Sequence, residues 1–408
     1  MRVVVKGTSP HENKIITIFE KQEDGKYKCY NIEDKYFTIN EEQKKEYRTK
    51  PRTTPYLFIK KNEKDKKLKT MSLKQQCKSI NKTAKLLLEL TNGKINLYRT
   101  GSTAKTALQL FYDLCEPPTP EEIETYEIDI LEKSSTGACI WGQKGYKNIG
   151  YKYDFVSEYP SIMDSSQHKF PIGKGEQKTF TKKEFKNLEF LSFGLYHVKV
   201  HCDDRRVFRE NYDNWYTHTE LNYAKSKLNY KIELITDDEP NALLWDKSKL
   251  ITGKALFGKF VTYLFRLKYK GHTEVKCFLN ALWGTLCQTD MMKIIPTEIR
   301  CDQQILSITP CDNGKYIYET ARLDKFYENN FARIKPFILS YGRVKIQNVI
   351  LQNIDKVVRC HTDGIICSSP ITNIKLGSDL GMLKYEGKGN CEIINNNNFI
   401  FIFIDDDI

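Results

Sequence analysis

The sequence predicts an α+β chain of more than one domain, and three observations carry that prediction. It has 408 residues, 40% of them apolar and 12% aromatic. That is enough to bury sizeable cores and, at roughly 100–200 residues per domain, to make two to four of them. Helical and strand periodicities both recur along it. Near the carboxyl end, Val357–Cys360 and Gly364–Cys367 form a strand–turn–strand pattern around His361-Thr362-Asp363-Gly364, which marks antiparallel pairing.

In chain order, residues 1–80 are mixed and polar, with a basic run from Lys60 to Lys67 that reads as a solvated loop. From Asn81 the apolar residues Ala84, Leu87, Leu88 and Leu90 predict a helix. A second helix is predicted over Thr103–Leu114, closed by Pro117, Pro118 and Pro120, with Pro117–Glu124 as a linker. Tyr153–Val156 predicts a short buried strand. Gly194–Cys202 alternates, with Tyr196, Val198 and Val200 on one face and His197, Lys199 and His201 on the other. Residues 218–229, 256–270 and 274–286 read as helices, and 326–352 as a long helix interrupted near Pro336. No internal repeat is visible. The tail, with Asn395–Asn398, then Phe399–Ile404, then Asp405–Asp407, reads as low-complexity sequence.

Composition narrows the function classes. No run approaches eighteen uncharged apolar residues, so neither a membrane span nor a membrane partner is expected. The 64 Lys+Arg against 52 Asp+Glu leave a net charge of +12. This favours an anionic partner such as nucleic acid, although lysine-rich chains also arise without functional reason. The twelve cysteines are scattered, without Cys-x-x-Cys or finger spacing. With no secretory or transit pattern, they predict reduced thiols in an intracellular protein, with cytoplasm, nucleus and mitochondrion all open.

Three segments carry chemistry. Asp154-Phe155-Val156-Ser157-Glu158-Tyr159-Pro160-Ser161 puts a carboxylate at the end of an apolar strand, before a tight turn. On a helix, Lys276, Asn280 and Trp283 or Gly284 share one face, where a cation, an amide and a ring suit a nucleoside triphosphate. His361-Thr362-Asp363-Gly364 presents a second carboxylate at a hairpin tip. Singly, each has an ordinary explanation as a turn, a cap or a solvated face. Their joint occurrence in this order is far more specific.

Together the segments resemble motifs A, B and C of the family B DNA polymerases, particularly the protein-primed branch. Glu158 stands for Leu in motif A, Ala281 and Trp283 for Ser and Tyr in motif B, and His361 for the first Asp of motif C. Thr136-Gly137-Ala138 is similar to the family's link between exonuclease and polymerase halves, with Ser135 where tyrosine is expected. Leu380–Glu386 looks like the stretch after motif C. The resemblance covers roughly residues 115–390.

It implies a right-hand polymerase with an antiparallel-sheet palm, helical fingers, a reduced amino-terminal region and an incomplete thumb. The implied divisions are 1–116, amino-terminal region and exonuclease remnant; 117–255, first part of the palm with an insertion; and 256–290, fingers. Residues 291–345 are then a second insertion and the palm helix, 346–390 the second part of the palm, and 391–408 a low-complexity vestige of the thumb. Both gaps between motifs have room for the branch's two insertions.

The implied activity is DNA-directed synthesis in replication of a viral, plasmid or transposon-like element. Its implied partners are template and primer DNA, deoxynucleoside triphosphates and a terminal protein primer. Asp154 and Asp363 are the implied catalytic carboxylates, holding two Mg2+ ions (Mn2+ as an alternative) together with the Phe155 carbonyl. Lys276, Asn280, Ser157 and Tyr159 would bind the nucleotide, with Tyr159 excluding a 2′-hydroxyl, and Thr362, His361 and Lys384 would meet DNA. Arg343 and Lys335 are weaker candidates for phosphate contacts, a solvated face being the commoner reading for either alone. The alternatives are a catalytically impaired nucleic-acid-binding remnant and, against Tyr159, an RNA-copying enzyme.

Several features depart from the family pattern. Residues 1–130 hold no Asp-x-Glu, so no 3′–5′ exonuclease is expected; the one Asp-x-Glu of the sequence, Asp237-Asp238-Glu239, falls between motifs A and B in a polar loop. Only residues 364–408 follow Asp363, and the best register for the family's Lys-x-Tyr is Asn397-Asn398-Phe399, which points to a truncated copy. His197 and His201 have helical zinc spacing but sit on a strand, about 13 Å apart at some 3.3 Å per residue, so they are assigned to a polar sheet face. Trp215–Glu220 is given no role beyond packing.

Overall fold

The computed structural model describes residues 14–33, 35–44, 56–60, 70–237, 239–294, 303–310, 316–322 and 326–404. The basic positions 61–67, Asp238 and Asp405–Asp407 lie outside them. The chain divides into two compact units, 1–114 with 267–285, and 115–266 with 286–408. The boundaries after Arg266 and Thr285 fall inside the 256–290 segment expected to act together.

In the first unit a four-stranded sheet has Ile15–Lys21 between Tyr27–Asn31, its antiparallel neighbour, and Tyr56–Lys60, which is parallel to it; Lys35–Ile39 completes the sheet beyond Tyr27–Asn31. Ile16, Ile18 and Tyr30 pack there with Leu73, Cys77 and Ala84 of the helix Leu73–Leu90. That helix begins earlier than the predicted Asn81. The Ser72 side chain accepts from the Gln75 N–H while Gln75 reaches back to the Ser72 N–H, a capping box that starts the helix there. The predicted second helix appears as Thr103–Cys115.

The second unit is built on a six-stranded sheet. Its order is Phe399–Phe403, Leu383–Ile393, Lys147–Phe155, Gly364–Cys367, Val357–His361, Ile140–Gly142. Alternation sends Tyr153, Phe155, Ile365 and Cys367 to one face, where they meet Ile346, Val349 and Ile350 of a long helix, Lys335–Gln352. Ile366, Cys391 and Ile393 go to the other, under Phe399 and Phe401. The long helix is buried on most of its circumference, Arg343 and Gln347 included. Pro336 opens it rather than interrupting it, since the missing N–H is not needed in the first turn.

The tail departs from its low-complexity reading. Asn395 accepts at its side-chain oxygen from the N–H groups of Asn397 and Asn398, and Ile394 N–H donates to the Asn398 carbonyl, closing a hairpin. Phe399–Phe403 then pairs with Gly389–Ile393 as the sheet's edge strand. The run of asparagines is the turn that makes this possible. The implied division at 390 accordingly falls inside a strand, Leu383–Ile393, and that at 345 inside the long helix.

A second sheet centres on Gly194–Val200, paired with Trp215–Thr217, Ile232–Leu234 and Ala242–Leu244. Tyr196, Val198 and Val200 are buried on its core face. His197 and His201 lie on the other and face Asp237 at 3.5 Å and Glu233 at 3.2 Å, so the polar-face assignment stands. A third sheet holds Met291–Ile294, Tyr316–Arg322 and Gln303–Pro310. Among the described residues no helix is long and apolar enough to cross a membrane.

Candidate active site

Two aspartates meet at one end of the six-stranded sheet. Asp154 is the penultimate residue of Lys147–Phe155, whose neighbours set it opposite Gly364 on one side and Lys384 on the other. The next residue, Phe155, donates its N–H to the Asp363 carbonyl at 2.9 Å. Adjacent strands stand about 4.8 Å apart, so both aspartates reach the same half-exposed end of the sheet. Gly364 makes the approach feasible: a Cβ there would lie 2.9 Å from Asp154 Oδ1.

The backbone around the pair is held in costly conformations. Ser157 adopts φ 53° at the start of the short helix Glu158–Met163, and Thr362 adopts φ 59° at the hairpin tip. Left-handed geometry at non-glycine residues costs of order 1–3 kcal/mol and persists only where surroundings enforce it. Here they do. Val156 N–H donates to the Met382 carbonyl at 2.9 Å, Gly381 N–H to the Val156 carbonyl at 2.7 Å, and Thr362 N–H to the Cys139 carbonyl at 2.9 Å.

Beneath the turn lies a group of ionisable side chains. Glu158 is 2% exposed, and neither of its carboxylate oxygens has a hydrogen-bond partner among the described residues. Burial, and then the Asp363 and Asp154 charges, push its pKa well above the ordinary carboxylate value, with Lys345 opposing them. Lys345 Nζ bonds Ser161 Oγ at 2.9 Å and stands 4.5 Å from the centre of the Phe155 ring. Tyr159 has its phenol pushed up by burial and then by Glu158.

Of the other sequence candidates, Ser157 is buried, Thr362 is half-buried, and His361 and Lys384 are exposed. The Lys384 register position is opposite Asp154. Lys276 and Asn280 belong to the other unit, on the helix Lys276–Leu286. Both are exposed there with Gly284, while Phe278, Leu279 and Leu282 form the buried side.

Two candidates for phosphate contact are corrected. Arg343 is 1% exposed, donates to Glu220 Oε1 at 2.8 Å and holds the Thr136 and Gly137 carbonyls. It clamps the Thr136-Gly137-Ala138 segment to the long helix. Lys335 is tied to Glu132 at 2.6 Å. Glu220, assigned only to packing from sequence, is the Arg343 partner and completes a capping box with Thr217. Glu158, Lys345 and Gly342 were not singled out as site residues. A glycine inside a helical pattern and a carboxylate in an apolar motif position were the available signals.

Among the described residues, no group of three or more His, Cys, Asp and Glu side chains is arranged to hold a metal. The candidate donors are the two carboxylates that the backbone sets side by side, Asp154 and Asp363. Mg2+ commonly binds through one or two carboxylates and completes its shell with water and substrate phosphates, which this donor set fits.

No family model and no curated protein matches the sequence. Solved structures do. The chain superposes on phi29 DNA polymerase complexed with single-stranded DNA at TM-score 0.60 and 16% identity, covering 81% of this chain and 59% of that one. Against the same polymerase with primer-template DNA the values are 0.61 and 13%, covering 96% and 87%. With primer-template DNA and incoming nucleotide they are 0.56 and 16%, covering 78% and 58%. The fold resembles that of phi29 DNA polymerase, and at this identity the likeness establishes the mixed helix-and-sheet fold alone.

Proposed function

We propose that this chain is a DNA-directed DNA polymerase of the protein-primed family B type, adding deoxynucleotides to a primer in replication of a viral, plasmid or transposon-like element. The observation that carries this is the placement of Asp154, near the end of its strand, beside the hairpin turn that bears Asp363, in a fold that resembles that of phi29 DNA polymerase. In this reading the six-stranded sheet is the palm and the helix bearing Lys276 belongs to the fingers. DNA template, primer and deoxynucleoside triphosphates are the partners, and a terminal protein serves as a primer.

Nucleotidyl transfer builds negative charge on the attacking and leaving oxygens. A pair of Mg2+ ions held by Asp154, Asp363 and the Phe155 carbonyl would neutralise it, with Mn2+ as a substitute. The residues of the chain do the rest. Lys276 meets the triphosphate as a point charge and Asn280 orients it. Ser157 contributes to the nucleotide pocket, and Tyr159 stands under the sugar and rejects a 2′-hydroxyl. Thr362, His361 and Lys384 contact the primer strand.

The test is primer extension with Mg2+ by the wild type, Asp154→Asn and Asp363→Asn. Extension lost in both variants, with primer-template binding kept, is the expected result. Equal binding and no extension in all three identifies a non-catalytic DNA-binding protein instead. Single-stranded DNA should survive incubation with the wild type, since the amino-terminal region lacks Asp-x-Glu; degradation that persists in Asp154→Asn would contradict this.

A further inference from the structure

We propose that Gly342 is a positioning residue for sugar selection: it brings the backbone of the long helix against the Tyr159 ring and so fixes where that ring stands. This rests on the polymerase reading. Gly342 lies in the interior of Lys335–Gln352, where glycine costs roughly 0.5–1 kcal/mol relative to alanine. Its φ is not left-handed and no turn requires it. Space does. A Cβ at 342 would lie 3.1 Å from Tyr159 Cε1, 3.6 Å from Tyr159 Cζ and 3.5 Å from Glu158 Oε2.

Such a contact needs one side to yield by a few tenths of an ångström. The helix backbone is poorly placed to do so, because it is buried along both flanks. The base of Tyr159 is also held. Ser161 N–H donates to the Ser157 carbonyl at 3.0 Å, and Lys345, one turn along the same helix, bonds Ser161 Oγ. Tyr159 is only half-buried, so it is the ring that yields, and in the proposed site it yields toward the incoming sugar. Alanine at 342 would thus tighten the space for every nucleotide, most of all for one carrying a 2′-hydroxyl.

The experiment is steady-state primer extension by the full chain with dATP and with ATP, comparing wild type, Gly342→Ala, Tyr159→Ala and the double variant. A displacement of this size should raise KM for dATP roughly three- to tenfold in Gly342→Ala with little change in kcat. It should also raise discrimination against ATP. In the Tyr159→Ala background the same substitution should have no effect, because the ring it displaces is gone.

A Gly342→Ala chain that folds poorly but recovers when Tyr159→Ala is added reads the same contact and supports the proposal. Equal KM and kcat effects in both backgrounds, an unchanged KM, or a folding defect that persists without the ring overturns it. Loss of extension in the wild type itself overturns the polymerase reading and this inference with it. Wild-type extension with an unaltered Gly342→Ala variant overturns the inference alone.

Discussion

Glu158 and Glu220 are alike in almost every local respect and opposite in the one that matters. Both are buried, both sit in the first turn of a helix where the dipole favours a carboxylate, and both helices pack on Lys335–Gln352. Glu220 receives the Arg343 guanidinium at 2.8 Å and the Thr217 hydroxyl at 3.1 Å. Glu158 receives no hydrogen bond among the described residues and faces two aspartates. The long helix decides this: Arg343 bonds one glutamate directly, while Gly342 sets close backbone beside the other and Lys345 acts on it only through its charge. Glu220 therefore belongs to the frame, and Glu158 belongs to a strained site that the frame supports.

The largest effect should come from breaking the satisfied side. Arg343→Met leaves Glu220 buried without its cation, a change that costs about 3–5 kcal/mol. It also releases the Thr136 and Gly137 carbonyls. Urea denaturation should show the loss. Adding Glu220→Leu to Arg343→Met should recover much of it, because apolar packing can replace a buried pair at little cost. If the double variant is as unstable as the single one, the carbonyl clamp rather than the ion pair carries the stability.

The same pair shows what the sequence could convey. The strands around Asp154 and Asp363, the hairpin tip and the exposed Lys276–Asn280 face follow from local periodicity and turn chemistry, and all were legible. Arg343, read from sequence as a solvated face or a weak phosphate candidate, is neither, because its partner lies in a distant segment. Periodicity places a residue on a helix, but it does not say whether every face of that helix is covered. Lys335–Gln352 is covered nearly all round, so a cation there must find an internal partner. The asparagine-rich tail failed for a different reason. Its composition looks unstructured, yet a single side chain, Asn395, organises the turn and lets the edge strand pair.

Repairing the unsatisfied side should have a smaller effect of the opposite sign. Leaving a buried polar group without partners costs about 1–3 kcal/mol, so Glu158→Leu should stabilise the protein at neutral pH. The pH dependence gives the sharper test. The Glu158 pKa is raised in the folded state above the usual value of 4.5, so the folded chain holds this proton more tightly than the unfolded one. Its contribution is most favourable below pH 4.5 and declines as pH rises through the folded-state pKa. The advantage of Glu158→Leu should accordingly be smallest in acid and grow toward neutrality in denaturation measured across that range. An advantage independent of pH would mean that shape, not charge, distinguishes the two glutamates.

The smallest effect probes the site's backbone in place of its side chains. Thr362 carries a β-branched side chain at φ 59°, a conformation that asparagine adopts far more readily. Thr362→Asn should therefore raise stability by about 1 kcal/mol, read as an upward shift in Tm. Thr362→Gly should give less, because glycine also enlarges the freedom of the unfolded chain. The Thr362 N–H to Cys139 bond is kept in either variant, so the hairpin stays tied to its neighbouring strand. A lower Tm for Thr362→Asn would show that the threonine side chain, which lies 3.4 Å from His361 Nδ1, stabilises the tip by more than its backbone strain costs.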